Sequence, residues 1–265
     1  MEAIDRLEVA IRARWVYAIT EEYKDPFVHL DSSSFHEGLP TEITYAKQRQ
    51  KLKSELQQRY CKEPAIRHFY SKYTEETPPL WTVVHYFTLG QLCAWIHLTK
   101  SPKVKKYLAK EFGFKDYDKF KSFLNALNEI RNVYAHHNRL WNKGLSKKHT
   151  RIIRPTDERF ARFFPLNSNG RIYSLLILIA IALRKINPHT TWDYRLGILI
   201  NSREEWQQMQ MGFVQPVSEM PELFESASEF DPKDLESPLS CDASNVVTRS
   251  LVDDIGNGNQ FCDNE

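Results

Sequence analysis

Glycine and cysteine are scarce in this chain, and the motifs built on them are missing. Nine glycines occur among 265 residues, with no glycine-rich phosphate loop and no GxSxG sequence. This excludes the usual signatures of P-loop nucleotide binding and of α/β-hydrolase chemistry. The four cysteines form no CxxC pair that would indicate a zinc site, and they are Cys61, Cys93, Cys241 and Cys262. We therefore expect no metal, no cofactor and a reducing, cytoplasmic location.

Long hydrophobic runs are also rare. The strongest is IYSLLILIAIAL, residues 172–183, which lies between Arg171 and Arg184. A transmembrane helix requires about 20 apolar residues, so this run predicts a buried helix instead. The first residues, MEAIDRLEVAIRARW, lack the uninterrupted apolar core of a signal peptide. From both features we expect no membrane partner.

Charge is distributed unevenly along the chain. Residues 215–265 contain 12 acidic and 2 basic residues, whereas residues 1–214 contain 22 acidic and 34 basic residues. A basic body attracts polyanions such as RNA or anionic lipid, and an acidic tail competes for the same surface. The alternative is a solvated surface with a disordered tail. Either way, the composition predicts a helical domain at residues 1–214 and an acidic, disordered tail at residues 215–265.

Almost every segment before the tail has the apolar spacing of a helix. Ile4, Leu7, Ile11 and Trp15, for example, recur at steps of three and four residues. No pair of strands with a two-residue turn is found, so the predicted fold class is all-α, a bundle with additional helices. The predicted helices are residues 3–22, 44–60 with Thr41 as N-cap, 64–73, 80–98, 102–113, a helix that starts at Asp116, 171–186, 193–200 and 202–211.

The stretch NEIRNVYAHHNRLWN, residues 128–142, is unusually rich in Arg, Asn and His. On a helix that advances about 100° per residue and continues to residue 139, one polar arc contains Arg131, Asn132, Ala135, His136, Asn138 and Arg139. His137 points to the opposite, apolar side. A guanidinium matches phosphate oxygens, and an imidazole gives or takes a proton near neutral pH. Together they suffice for cleavage of RNA by its own 2′-hydroxyl, a reaction that requires no metal.

An Arg followed by four residues and a His is a weak pattern by itself. Arg184 and His189 have the same spacing as Arg131 and His136, but Asn187 and Pro188 interrupt the helix between them. At the first copy, the alternative is a helix end at which both side chains merely bind backbone carbonyls. The residues alone leave both interpretations open.

The run IRNVYAHHNRLWN resembles the signature of the Abi family of bacterial abortive-infection proteins, of the AbiD and AbiF type, within the HEPN superfamily of helical ribonucleases. PPLWTVVHYFTLGQLCAWI and INPHTTWDYRLGILI also agree with that family. The resemblance covers residues 1–211 and leaves the acidic tail outside. It departs from the family at His85, where members often carry glutamate.

The resemblance implies a HEPN-type helical bundle in which Arg131 and His136 are the catalytic pair and Asn132 is the polar residue after the arginine. The residues that match the trailing part of the signature are expected to support the site, and they are His137, Asn138 and Arg139. HEPN proteins pair two such motifs, and this chain has one credible copy, so the resemblance implies a homodimer.

The leading hypothesis is an endoribonuclease of a phage-defence or toxin–antitoxin type. The alternative is a non-catalytic RNA-binding module, held inactive by a structured small RNA. Either would use basic residues after the motif to contact phosphates, and the candidates are Lys143, Lys147, Lys148, Arg151 and Arg154. The expected partners are an RNA substrate and an inhibitory small RNA or protein antitoxin.

Overall fold

The computed structural model describes residues 1–141, 144–145, 171–213 and 215–219. Within these ranges the chain forms helices and no β-strand, apart from isolated bridges that join Phe35 to Thr99 and Gly38 to Thr44. The predicted all-α class is confirmed. The helices are α1 (Glu2–Tyr23), α2 (Tyr45–Arg59), α3 (Pro64–Lys72), α4 (Leu80–Val83), α5 (Leu89–Leu98), α6 (Pro102–Glu111), α7 (Tyr117–Ala135), α8 (Ile172–Ile186), α9 (Trp192–Asn201) and α10 (Glu205–Gln210).

Helix α1 contacts α6 and α8 and buries the apolar stripe that its sequence predicts. Leu7, Ile11 and Trp15 have no solvent-exposed surface. Burial of side chains of this size contributes about 1.5–3 kcal/mol each. The Trp15 indole N–H also donates to the Thr99 hydroxyl at 3.2 Å, so its one polar group is satisfied inside the core.

Helix α5 lies at the centre of an aromatic cluster. The Trp95 ring lies 5.1 Å from Phe35, 5.8 Å from Tyr45 and 5.9 Å from Phe87, measured between ring centroids. These partners come from the loop before α2, from α2 itself and from the turn before α5. Trp95 therefore connects three separate segments of the chain to α5.

A buried histidine joins α5 to α7. His97 Nδ1 accepts from the Tyr117 hydroxyl at 2.8 Å, and Nε2 donates to the Asn125 side-chain oxygen at 3.0 Å. Burial lowers the pKa of His97 to about 4, so the ring is neutral near pH 7 and fits this donor and acceptor pattern. Both ends of the imidazole thus fix the first half of α7 against α5.

Helix α8 is the buried helix predicted from residues 172–183, and most of its side chains are buried. At its end, Arg184 pairs with the fully buried Asp193 of α9. Arg184, the first residue of the second Arg-x4-His spacing, therefore has a structural partner. This agrees with treating the copy at Arg131 and His136 as the only credible one. No helix among the described residues is both long and apolar enough to cross a membrane.

The prediction of one continuous helix at residues 80–98 is wrong. The chain forms the short helix α4, a 3-10 turn at Val84–Tyr86 and an extended residue, Phe87, before α5 begins. Thr88 and Gln91 then form a capping box, in which the Thr88 hydroxyl accepts from the Gln91 N–H and the Gln91 side chain accepts from the Thr88 N–H. These two hydrogen bonds start a new helix inside a continuous apolar sequence.

Packing continues past residue 214, the predicted end of the helical domain. Val217 is 6% exposed, and its backbone N–H donates to the Gln208 side chain at 2.8 Å. The 3-10 turn Val217–Glu219 contacts α9. The rest of the predicted acidic tail lies outside the described residues, so its disorder stays a prediction.

The N-cap of α2 is Thr44, and the prediction of Thr41 is wrong. The Thr44 hydroxyl accepts from the Lys47 N–H at 3.2 Å, whereas Thr41 is exposed and lies in the preceding turn. We expect Thr44→Ala to lower the free energy of unfolding by about 1 kcal/mol because the first turn loses its acceptor. Thr41→Ala is the matched control and should change it by less than about 0.5 kcal/mol. Urea unfolding of both variants measures the difference, and equal effects would contradict the assignment.

Candidate active site

Helix α7 carries the motif and is held by its buried face. Phe120, Phe123, Leu127 and Ile130 are at most 4% exposed, and α7 contacts α5, α6 and α8. The helix begins as predicted at Asp116, whose carboxylate accepts from the Lys119 N–H at 3.0 Å. Because this face and this cap fix the rotation of the helix, the polar side chains of the motif have defined directions.

The three central residues of the motif emerge near the C-terminal end of α7. Arg131 is partly exposed, and Asn132 and His136 are exposed. Within the part of the chain that the structure describes, neither the Arg131 guanidinium nor the His136 ring forms a hydrogen bond or an ion pair. The site therefore presents a cation and an imidazole that are not used to hold the fold together.

Arg131 and His136 do not point in the same direction. Five residues along a helix correspond to a rotation of about 140°, so one copy of α7 aims the two side chains at different parts of space. Asn132 and His136, by contrast, are four residues apart and share one surface, and the Asn132 carbonyl accepts the His136 N–H at 3.1 Å.

The helix ends at Ala135 and does not continue to residue 139. The His137 N–H donates to the Tyr134 carbonyl at 2.8 Å, and the Asn138 N–H donates to the Val133 carbonyl at 3.0 Å. This pair of bonds is a Schellman motif, which requires a left-handed residue directly after the C-cap. His137 fills that position with φ 54°, where glycine is the usual residue.

The early helix end corrects the predicted directions of the trailing residues. His137 is exposed, so the prediction that it points into the core is wrong. Asn138 and Arg139 are also exposed, but they lie beyond the helix and no longer follow its phase. The same 100° periodicity also places Tyr134 opposite the polar arc, yet its side chain is 48% exposed.

After the turn, the chain is held by aromatic contacts. The Arg139 guanidinium lies 5.9 Å from the centre of the Trp141 ring. Trp141 packs edge-on against Trp206 of α10, with 6.2 Å between ring centroids. Trp206 is still 59% exposed. Periodicity gives no signal for this contact, because the two tryptophans are far apart in sequence and Trp206 lies outside the quoted motif.

The first residue of the motif, Asn128, also has an unusual environment. The Asn128 amide lies next to Gly90 of α5, where a Cβ would come within 3.4 Å of the side-chain oxygen, an ordinary contact distance. That oxygen is buried and has no hydrogen-bond partner among the described residues. A buried acceptor without a partner costs about 1–3 kcal/mol, which marks Asn128 as a polar residue that the sequence analysis did not single out.

The five residues predicted to bind RNA lie outside the described residues, and they are Lys143, Lys147, Lys148, Arg151 and Arg154. Their role stays a prediction. Within the described ranges, no group of three or more His, Cys, Asp or Glu residues is arranged to hold a metal ion.

Comparison with known families gives the class of this chain. Residues 1–142 match the family described as Abi-like protein, and this span contains the whole motif. The match covers more than half of the chain, so the chain belongs to the Abi-like family. Membership of this family associates the chain with abortive infection, a form of phage defence. No curated protein and no solved structure matches the chain.

The left-handed conformation at His137 leads to a stability prediction. We expect His137→Gly to raise the free energy of unfolding by up to about 1 kcal/mol, because glycine adopts positive φ without steric cost. His136→Gly is the matched control and should give no gain, since His136 has φ −93°. Urea unfolding of both variants tests this, and a loss of stability in His137→Gly would contradict the Schellman assignment.

Proposed function

We propose that this Abi-like protein is an endoribonuclease of phage defence, of HEPN type, which cleaves RNA with Arg131 and His136. The observation that carries the proposal is the partly exposed Arg131 guanidinium, which forms no hydrogen bond or ion pair with any described residue. Arginines with a structural role commonly form ion pairs with nearby carboxylates, as Arg12 and Arg184 do here. An unused guanidinium suits a phosphate ligand, because its planar donors match phosphate oxygens.

The proposed reaction is a transesterification within RNA. The ribose 2′-oxygen attacks the adjacent phosphorus while a general base removes its proton, and the bond from phosphorus to the 5′-oxygen breaks as that oxygen is protonated. His136 acts as the base or as the acid. Arg131 stabilises the charge that develops on the non-bridging phosphoryl oxygens. The products are a 2′,3′-cyclic phosphate and a 5′-hydroxyl.

The direction of the two side chains supports a site made from two copies. Because Arg131 and His136 diverge by about 140° around α7, one copy is poorly arranged to place both on one phosphate. A homodimer solves this if Arg131 of one subunit and His136 of the other meet at a shared cleft. The exposed position of His136 at the end of the helix is compatible with such a meeting.

A non-catalytic RNA-binding module is the second candidate. It is favoured by the absence, among the described residues, of a hydrogen bond that orients the His136 ring. A general base is usually held by such a partner. In this case Arg131 and His136 bind the RNA backbone, and an inhibitory small RNA or a protein antitoxin acts on the same surface.

The first test removes each proposed catalytic side chain. We expect Arg131→Ala and His136→Ala each to lower the rate of RNA cleavage by at least about 100-fold without changing thermal stability, because both side chains project outward. Arg67→Ala and His68→Ala are matched controls, since both residues are exposed on α3. Mass spectrometry should find 2′,3′-cyclic phosphate ends. RNA binding without cleavage by the unmodified protein would instead support the binding module.

The second test asks whether one site uses two subunits. We expect a mixture of Arg131→Ala and His136→Ala proteins, each inactive alone, to recover about a quarter of wild-type activity after subunit exchange. Random exchange places half of the chains in mixed dimers, each with one complete Arg131 and His136 pair. Activity that stays absent in dimers shown to have exchanged would contradict a shared site.

A further inference from the structure

A groove of about 580 Å³ lies between α2 and the start of α5. Helix α2 contributes Lys47, Lys51 and Gln58 to its lining, and these residues lie on one face of the helix because they are four and seven residues apart. The start of α5 contributes Thr88 and Gln91. Every described side chain that lines the groove ends in a polar group, so the groove suits a ligand that forms hydrogen bonds.

The groove has an excess of positive charge. Glu55 is the one acidic residue among the described lining residues, and the Arg59 guanidinium binds its carboxylate at 3.3 Å. Lys47 and Lys51 are exposed, and no described carboxylate forms an ion pair with either. The Lys47 ammonium donates only to the Glu42 carbonyl, at 3.4 Å. Two cations therefore share one groove without a free counter-charge, which favours an anionic ligand.

The first turn of α5 separates the groove from the helix that carries the motif. Thr88 and Gln91 line the groove, whereas Gly90 lies against Asn128 of α7, where an added Cβ would come within 3.4 Å of the amide oxygen. An α-helix with its side chains is about 10 Å wide, and one further turn of α7 adds about 5 Å along its axis. The groove therefore lies roughly 15 Å from the exposed Asn132.

Helix α5 runs antiparallel to α7 and begins beside Asn128. The end of α5 meets the first half of α7 through His97, which binds Tyr117 and Asn125. The start of α5 meets α7 at Asn128, and Asn132 lies one turn beyond this contact. A ligand can thus leave the groove around the start of α5 and reach Asn132 without passing between the two helices.

We propose that the groove is a subsite for an unpaired RNA strand whose cleaved phosphate lies at the motif. The inference rests on the proposed function, since it takes Arg131 and His136 to be the place where the strand reacts. Lys47 and Lys51 bind backbone phosphates, and the glutamine amides bind the base edges that an unpaired strand presents. Stacked nucleotides rise about 3.4 Å each, so about four or five of them span the distance from the groove to the motif.

The first experiment measures binding separately from cleavage. The probe is a fluorescein-labelled 2′-O-methyl RNA of about 20 unpaired nucleotides, which lacks the attacking hydroxyl and stays intact. We compare full-length protein with Lys47→Gln/Lys51→Gln and with a control, Lys53→Gln/Lys62→Gln, which removes two exposed lysines outside the groove. Anisotropy is recorded at several salt concentrations, and circular dichroism checks that each variant is folded. If the groove variant does not fold, Lys51→Gln replaces it.

Each phosphate contact with a single strand contributes about 0.7 to the slope of log affinity against log salt, so the groove variant should lose about 1.4 and the control much less. Equal losses in both variants, or no loss in the groove variant, would overturn the inference. A mononucleotide that binds with the affinity and the lysine dependence of the long probe would also overturn it, because the groove would then be a site for a free nucleotide.

The second experiment asks whether the groove serves the motif. An unmodified RNA of about 20 nucleotides reaches both, whereas one of about three nucleotides cannot span the distance. The groove variant should raise KM for the long RNA with kcat unchanged, and should cleave the short RNA as the wild type does, because only binding is lost. Equal slowing of both would overturn the subsite alone. Groove-dependent binding of the long probe without cleavage of any RNA would overturn the proposed nuclease alone.

Discussion

The packing of α7 against α5, α6 and α8 is the constraint on which the rest of the site depends. Its apolar face is buried through Phe120, Phe123 and Ile130, so the helix has one possible rotation in this bundle. His97 adds a polar constraint near the start of the helix through its bonds to Tyr117 and Asn125. Once that rotation is fixed, the direction of Arg131 follows from helical geometry alone.

The two arginines that share the Arg-x4-His spacing have different environments in the structure. Arg184 faces the buried carboxylate of Asp193, and that ion pair ties α8 to α9. Arg131 has no such partner among the described residues, although its helix also buries an apolar face in the bundle. Breaking a buried pair leaves an uncompensated charge inside the protein, so Arg184 is constrained by stability. Arg131 is free of that constraint, which is the situation expected of a residue that binds something else.

Much of the fold follows from periodicity. The stripes of α1 and α8 predict both helices, and Asp116 predicts the start of α7. Periodicity fails where a few hydrogen bonds outweigh a continuous pattern. The Thr88 and Gln91 box begins a helix within an apolar run, and its T-x-x-Q spacing was readable in the sequence. The end of α7 carries no such signal, because the left-handed position after the C-cap is occupied by His137 and not by the glycine that usually marks a helix end.

The candidate site was predictable in part for the same reason. Arg131, Asn132 and His136 lie within or directly at the end of α7, so their relative directions follow from the sequence. The residues after His136 depend on a left-handed backbone and on contacts between distant segments. Asn128 was not predicted as a site residue, and its buried oxygen lies against Gly90 in another helix. The pattern of apolar and polar residues within one helix carries no information about its contacts with another helix.

The edge-on contact of Trp141 and Trp206 joins the part of the chain that matches the family to a helix that lies beyond the match. After the left-handed turn at His137, Trp141 packs against α10, so the end of the motif lies against that helix. The two parts are therefore not interchangeable modules. A chimera that kept residues 1–142 and received its C-terminal helices from a relative would lose the surface against which the end of the motif rests, unless the donor also supplied an aromatic side chain in the place of Trp206.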